Sequence, residues 1–141
     1  MTSPKHRRMA YGLEFDRRGG ATGGTESQQA VIRGWLESFL VFGSRFDLVM
    51  RALAKKVKTT VPYVNIEFDP GIAAFAGWYG IYINVSYVGE HLESTFAHEL
   101  GHVVGINLLS DRSEGFAEEF KNWVYGGQSD GPVWDRLSVL V

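Results

Sequence analysis

The chain of 141 residues contains no cysteine. That one absence removes disulfides, thiolate metal ligands and cysteine nucleophiles together, and leaves His, Asp and Glu as the side chains able to hold a metal. Charge of one sign is also lacking: 14 Lys and Arg stand against 16 Asp and Glu, a net charge of −2. Such a balance gives no electrostatic footprint for nucleic acid or for an anionic membrane. No apolar run reaches the roughly 18 residues of a membrane span, and none follows the basic cluster Lys5-His6-Arg7-Arg8 as a signal peptide requires. The expectation is a cytoplasmic protein with no nucleic-acid or membrane partner. The basic cluster, with Arg17-Arg18, reads as a solvated tail rather than a binding arm.

What is present is ordinary globular stuff: 45% hydrophobic residues, 21% charged, and a length suited to one domain. The expected organisation is a flexible lead over residues 1–24, marked by Gly19-Gly20 and Gly23-Gly24, followed by a single domain over 25–141. Thr25-Glu26-Ser27-Gln28 has capping-box spacing. After it, Val31, Trp35, Phe39, Phe42, Phe46, Val49 and Leu53 recur at steps of three or four, which predicts one long helix that Gly34 or Gly43 can bend or split. The period then changes. Tyr63 to Phe68 reads as a strand ended by Pro70-Gly71. After a Gly/Ala-rich link, Tyr79 to Tyr87 alternates as a half-buried strand. Helices are predicted over about Gly89–Val104, ended by Gly105, and over about Arg112–Tyr125, closed by Gly126-Gly127. The last apolar residues, Val133, Trp134, Leu137, Leu140 and Val141, are expected to pack back as a short helix. The fold class is α+β.

The chemistry concentrates at His98-Glu99-Leu100-Gly101-His102. On a helix, residues four apart project side by side, so His98 and His102 can share one divalent ion, most simply zinc. Glu99 lies ~100° further round, where it flanks the ion and reaches a water there without ligating the metal. Leu92, Phe96, Leu100, Val103 and Val104 form an apolar face. The opposite face carries His91, Ser94, Thr95, His98, His102 and Gly105, small and imidazole side chains that suit a cleft better than open solvent. A catalytic zinc needs a third protein ligand, and Asp111, Glu114, Glu118 and Glu119 are the downstream candidates. Glu114 also fits a capping box with Asp111, and Glu118 also fits a surface pair with Lys121.

His98-Glu99-Leu100-Gly101-His102 followed by Glu114-Gly115-Phe116-Ala117-Glu118 resembles the gluzincin metallopeptidases. The small size and short spacing are similar to minigluzincins and to ImmA/IrrE-type peptidases. The resemblance covers roughly residues 60–126. It implies a small zincin-like domain, with a short antiparallel or mixed sheet whose strand Ile81–Tyr87 leads into the active-site helix. It implies His98, His102 and Glu114 as zinc ligands, Glu99 as general base in peptide hydrolysis, and Glu118 as the acid that orients a ligand histidine. A peptide or protein is then the expected substrate. Ser113 stands where the family's motif has asparagine, and no motif marks the oxyanion-stabilising Tyr or His, for which His91, Tyr82 and Tyr125 are available. A metzincin arrangement is excluded: Leu108 occupies its third histidine position, and no methionine follows Met50. Two other functions compatible with the same residues are a catalytically inactive, metal-stabilised assembly protein and a regulator that cleaves one specific partner.

Overall fold

The computed structural model describes residues 21–22, 24–57, 65–78 and 80–141. The basic clusters, most of the expected lead, Lys58, Tyr63-Val64 and Tyr79 lie outside them. No helix among the described residues is long and apolar enough to cross a membrane. The protein is α+β, and its described residues form five helices packed around a small mixed sheet.

Helix α1 (Glu26–Phe39) begins at the capping box. The Gln28 N–H donates to Thr25 Oγ1 (3.0 Å), and the Thr25 N–H donates back to Gln28 Oε1 (2.8 Å). Gln28 does more than its spacing suggests. Its amide nitrogen also donates to the carbonyls of Val85 (2.7 Å) and Tyr87 (2.9 Å), tying the start of α1 to the segment that leads into the histidine-bearing helix.

The expected single long helix is two. Helix α1 ends at Phe39, and α2 (Arg45–Lys56) starts from Ser44, whose hydroxyl accepts from the Asp47 N–H. Gly43 lies between them at φ +82°, a left-handed conformation that L side chains rarely adopt. The Gly43 N–H is capped by Asp47 Oδ2 (2.8 Å). Phe42, counted in the apolar stripe, is 71% exposed at this turn. Trp35, Leu36, Phe46, Val49, Met50 and Leu53 do reach the core.

Strands β1 (Ala21–Thr22), β2 (Asn65–Asp69), β3 (Ala74–Ala76) and β4 (Gly80–Asn84) form one sheet in the order β1-β2-β4-β3. β2 is parallel to both β1 and β4, and β3 is antiparallel to β4 at the edge. The register pairs Ile66 with Ile81 and Phe68 with Ile83, so all four meet the core on one face. On the other face Phe75 and Tyr82 stack at 4.4 Å. β3 replaces the link expected between the strands, and β1 falls at the end of the expected lead. β4 stops at Asn84, because residues 85–86 turn.

Helix α3 (Gly89–Val104) is packed against α1, β3, β4 and the next helix. Leu92, Phe96, Leu100, Val103 and Val104 are fully buried. The α-helix ends at Val104 with Gly105 at its C-cap, as expected, but the chain does not leave the helical path there. The chain continues through a π-helical turn (Gly105–Leu109) and stops at Ser110, which is left-handed at φ 53°. A Cβ on Gly105 would lie 2.6 Å from the Asp111 carbonyl oxygen, so glycine here also allows a close approach of backbone. The buried Asn107 amide donates to the carbonyls of Val103 (2.8 Å) and Trp78, which holds the loop before β4 onto this turn.

Helix α4 (Glu114–Tyr125) starts from Ser113, whose hydroxyl accepts from the Phe116 N–H (3.1 Å). It closes in a Schellman arrangement: Gln128 N–H donates to Trp123 O (2.7 Å) and Gly127 N–H to Val124 O (3.2 Å). Phe116, Phe120 and Trp123 face the core as their spacing predicts. Helix α5 (Pro132–Leu137), extended by a 3-10 turn over Ser138–Leu140, packs back through Val133 and Leu137, whereas Leu140 and Val141 stay exposed. The α3–α4 contact is tight where the site lies. A Cβ on Gly101 would stand 2.8 Å from Ala117 O and 2.9 Å from Ala117 Cα, so only glycine lets α4 approach the histidines this closely.

Candidate metal centre

Three side chains converge between α3 and α4. His98 Nε2 lies 2.8 Å from Glu114 Oε2, and His102 Nε2 lies 2.8 Å from Glu114 Oε1. One ligand atom from each of His98, His102 and Glu114 lies within 4.8 Å of the others, a group that can hold a metal ion. The two imidazoles meet edge to face, 4.9 Å between centroids. The other nitrogen of His98, Nδ1, is 3.1 Å from Glu118 Oε1, and Glu118 Oε2 is 2.6 Å from Lys121 Nζ.

These contacts constrain the histidines. A carboxylate only accepts, and His98 has one on each ring nitrogen: Glu118 at Nδ1 and Glu114 at Nε2. Neutral His98 carries one N–H and can donate to only one of them at a time. His102 Nε2 meets the other oxygen of the same carboxylate. Neutral His102 can donate from Nε2 to Glu114, whereas His98 satisfies both of its carboxylates only with a second proton, or with a cation between Nε2 and Glu114 in place of one. Two imidazole nitrogens and a carboxylate are a donor set that zinc and other divalent transition metals accept.

Glu99 is 7% exposed and lines a cleft of about 230 Å³ with His91, Ser94, Thr95, His98, Glu118 and Lys121. Burial pushes its carboxyl above the ordinary range, against the opposing pull of His102 and His98. None of the influences on it is a hydrogen bond, so the carboxylate faces the cleft uncommitted. Glu114 is shifted the other way: its bond to His98 chiefly, and the nearby His102, hold it below the usual value. Glu118 is lowered too, first by the hydrogen bond to Lys121.

The structure brings together all five residues singled out in the sequence, with Glu114 and Glu118 both on His98. The capping role is not taken by Glu114: Ser113 caps α4, and Asp111 Oδ1 accepts the Ser113 N–H (2.8 Å). Asp111 and Glu119, the other ligand candidates, lie outside the cluster; Asp111 Oδ2 is paired with Arg136 (2.9 Å), and Glu119 is exposed. For Glu118 the two expected partners coexist, since one oxygen faces His98 and the other Lys121. Among the candidates for the oxyanion role, His91 is on the cleft wall, 4.0 Å from the Tyr87 ring. Tyr82 is stacked on Phe75, and the Tyr125 hydroxyl accepts from Trp35 Nε1 (2.9 Å). Trp78 lines neither side of the cleft. Sequence reasoning missed Lys121 as a cleft residue, although its place three after Glu118 was the available signal. No family model, curated protein or solved structure matches the chain.

Proposed function

We propose that the protein is a zinc-dependent peptidase of the gluzincin kind, in a small zincin-like domain. One observation carries the proposal: the Nε2 atoms of two histidines four residues apart converge on the two oxygens of one carboxylate, Glu114, each at 2.8 Å, while His98 Nδ1 lies 3.1 Å from Glu118. His98, His102 and Glu114 would hold the ion. When bound, zinc supplies a Lewis acid that polarises a peptide carbonyl and acidifies water beside it. Glu99, uncommitted and raised by burial, is suited to accept the proton of the attacking water and to pass it to the leaving amine. Glu118, at Nδ1, would orient His98 and, with an ion on Nε2, take the remaining N–H. A buried base beside an exposed ligand carboxylate matches a division of labour in which environment separates proton transfer from ligation.

Metal content per chain, measured by mass spectrometry on identically purified proteins, tests the ligand set. About one zinc per chain in the wild type and much less in Glu114→Ala is expected; full zinc in both would move the third ligand elsewhere. Glu99→Gln is expected to keep the metal and to lose peptide cleavage by at least ~10²-fold. Retained cleavage in that variant would sink its role as the base.

A second reading, a metal-stabilised assembly protein or a regulator with one cognate substrate, is favoured by a separate observation. Tyr82 and Tyr125 are both engaged away from the cleft, which leaves His91 as the sole sequence-nominated group for the oxyanion. One zinc per chain with no cleavage across a broad peptide library would select this reading over a general peptidase.

A further inference from the structure

Lys121 is three residues after Glu118 on α4, and an i, i+3 ion pair on a solvated helix face is worth only a few tenths of a kcal/mol. This pair sits differently. The Lys121 side chain is 19% exposed and forms part of the cleft wall with His98, Glu99 and Glu118. Its ammonium contacts Glu118 Oε2 at 2.6 Å, and Ser94 Oγ on α3, one turn before His98, at 3.5 Å. Lysine is thus linked both to the acid that touches the histidine and to the helix that carries it.

The geometry points to Lys121 as a positioning residue for the metal site, acting on His98 through the Glu118 carboxylate. This rests on the proposal that His98 is a metal ligand. Glu118 is 47% exposed, and the terminal torsion of glutamate is broad, so His98 Nδ1 alone would hold one oxygen while the other turned freely in water. With Lys121 on the second oxygen, both are committed and the plane of the carboxylate is set. A fixed carboxylate plane fixes the imidazole ring it accepts from, and so the direction of Nε2 towards Glu114.

A lysine near a cation site can act in a second way, as a plain positive charge, and the two actions have opposite signs. Removing a charge relieves repulsion and tightens divalent-metal binding. Removing a positioning group loosens it, by 10- to 100-fold for groups that orient metal-bound histidines. The test is the affinity of the full-length protein for Co²⁺ and Zn²⁺, from chelator competition and the visible Co²⁺ spectrum. Lys121→Met, Lys121→Arg, Glu118→Gln and the Lys121→Met/Glu118→Gln double variant are compared, with thermal unfolding as the folding control. The expected result is a loss of about 10-fold or more in Lys121→Met, partial recovery in Lys121→Arg, and no further loss on adding Lys121→Met to Glu118→Gln. Unchanged or tighter binding in Lys121→Met overturns the inference, as does an equal loss in the Glu118→Gln background. If Lys121→Met does not fold, Lys121→Gln carries the same cycle. A wild type that binds neither ion overturns this inference and the metal site together; a wild type that binds both, with Lys121→Met unaffected, overturns this inference alone.

Discussion

The two helices that build the site are constructed on opposite terms. Helix α3 is enclosed by α1, β3, β4 and α4, and its acid, Glu99, is nearly inaccessible and pushed up by burial. Helix α4 packs through one face only, and its acid, Glu114, has 80% of its side chain exposed and is pulled down by the histidines. The same residue type therefore has opposite proton affinity on two neighbouring helices. Packing, rather than side-chain identity, shifts the two carboxyls in opposite directions, a difference that suits the proposed roles of base and metal ligand. It also divides the structural work: α3 presents the histidines rigidly, and α4 is brought up to them by a single close contact.

That contact is where the comparison breaks most readily. Gly101→Ala pushes a methyl into the Ala117 backbone, and a loss of ~1–3 kcal/mol is expected, with weaker metal binding as α4 is displaced. Gly115→Ala, on the open side of α4 with nothing within 4 Å of its would-be Cβ, should be neutral or gain up to about 1 kcal/mol. Urea midpoints of the two variants, measured with chelator present, decide this. Equal midpoints would mean that the helices have room to part.

A smaller effect probes how α4 is started. Ser113→Ala removes the acceptor of the Phe116 N–H and should cost ~1 kcal/mol, measured in the same way. No side chain caps α3, so nothing equivalent exists to remove at its start.

The smallest effect is read against pH. Hydrogen bonds from Ser113, side chain first and then backbone, followed by Arg136, lower the Asp111 carboxyl from 3.8 to about 2. A carboxyl depressed in the folded state stabilises above its unfolded value, and that stability is lost as pH falls from about 4 towards 2. Asp111 is close to the surface, so the slope is modest. Thermal unfolding of Asp111→Asn between pH 5 and pH 2 should show a flatter acid limb than the wild type; parallel curves would remove Asp111 from the α4–α5 connection.

Much of this was legible in the sequence, and particular residues show why. Helices α3 and α4 are found within about two residues of their predicted bounds, because Leu92, Phe96, Leu100, Phe116 and Phe120 keep an unbroken three-and-four spacing. The pairing of His98 with His102 was legible because i, i+4 spacing is rigid on a helix, whereas Glu114 stood among four acidic candidates and was singled out only by the resemblance of the two motifs. The break at Gly43 was less visible, since Phe42 continues the apolar count while its ring lies in solvent. β3 was hidden because Ala74 and Ala76 carry too little apolar bulk to mark an alternation, and its existence depends on pairing with β4. The close approach at Gly105 was hidden because helix-ending glycines and close-approach glycines read alike until the facing backbone is known. The long reach of Gln28 to Val85 and Tyr87 has no local signature at all.

The position of the site along the chain also bears on the order in which the molecule assembles. The two helices of the candidate site are neighbours in sequence, joined by the π-helical turn and the short link to Ser113, and meet as a hairpin. The sheet must instead bring Ala21 to Ile66 in parallel, across both α1 and α2. Closing a longer loop costs more entropy, and folding slows as contacts become less local. The expected sequence in refolding is that amides of α3 and α4 gain exchange protection before those of β1 and β2. An ion present at that moment would meet its ligands while the sheet is still open, and would act on the folding path as well as on the finished protein.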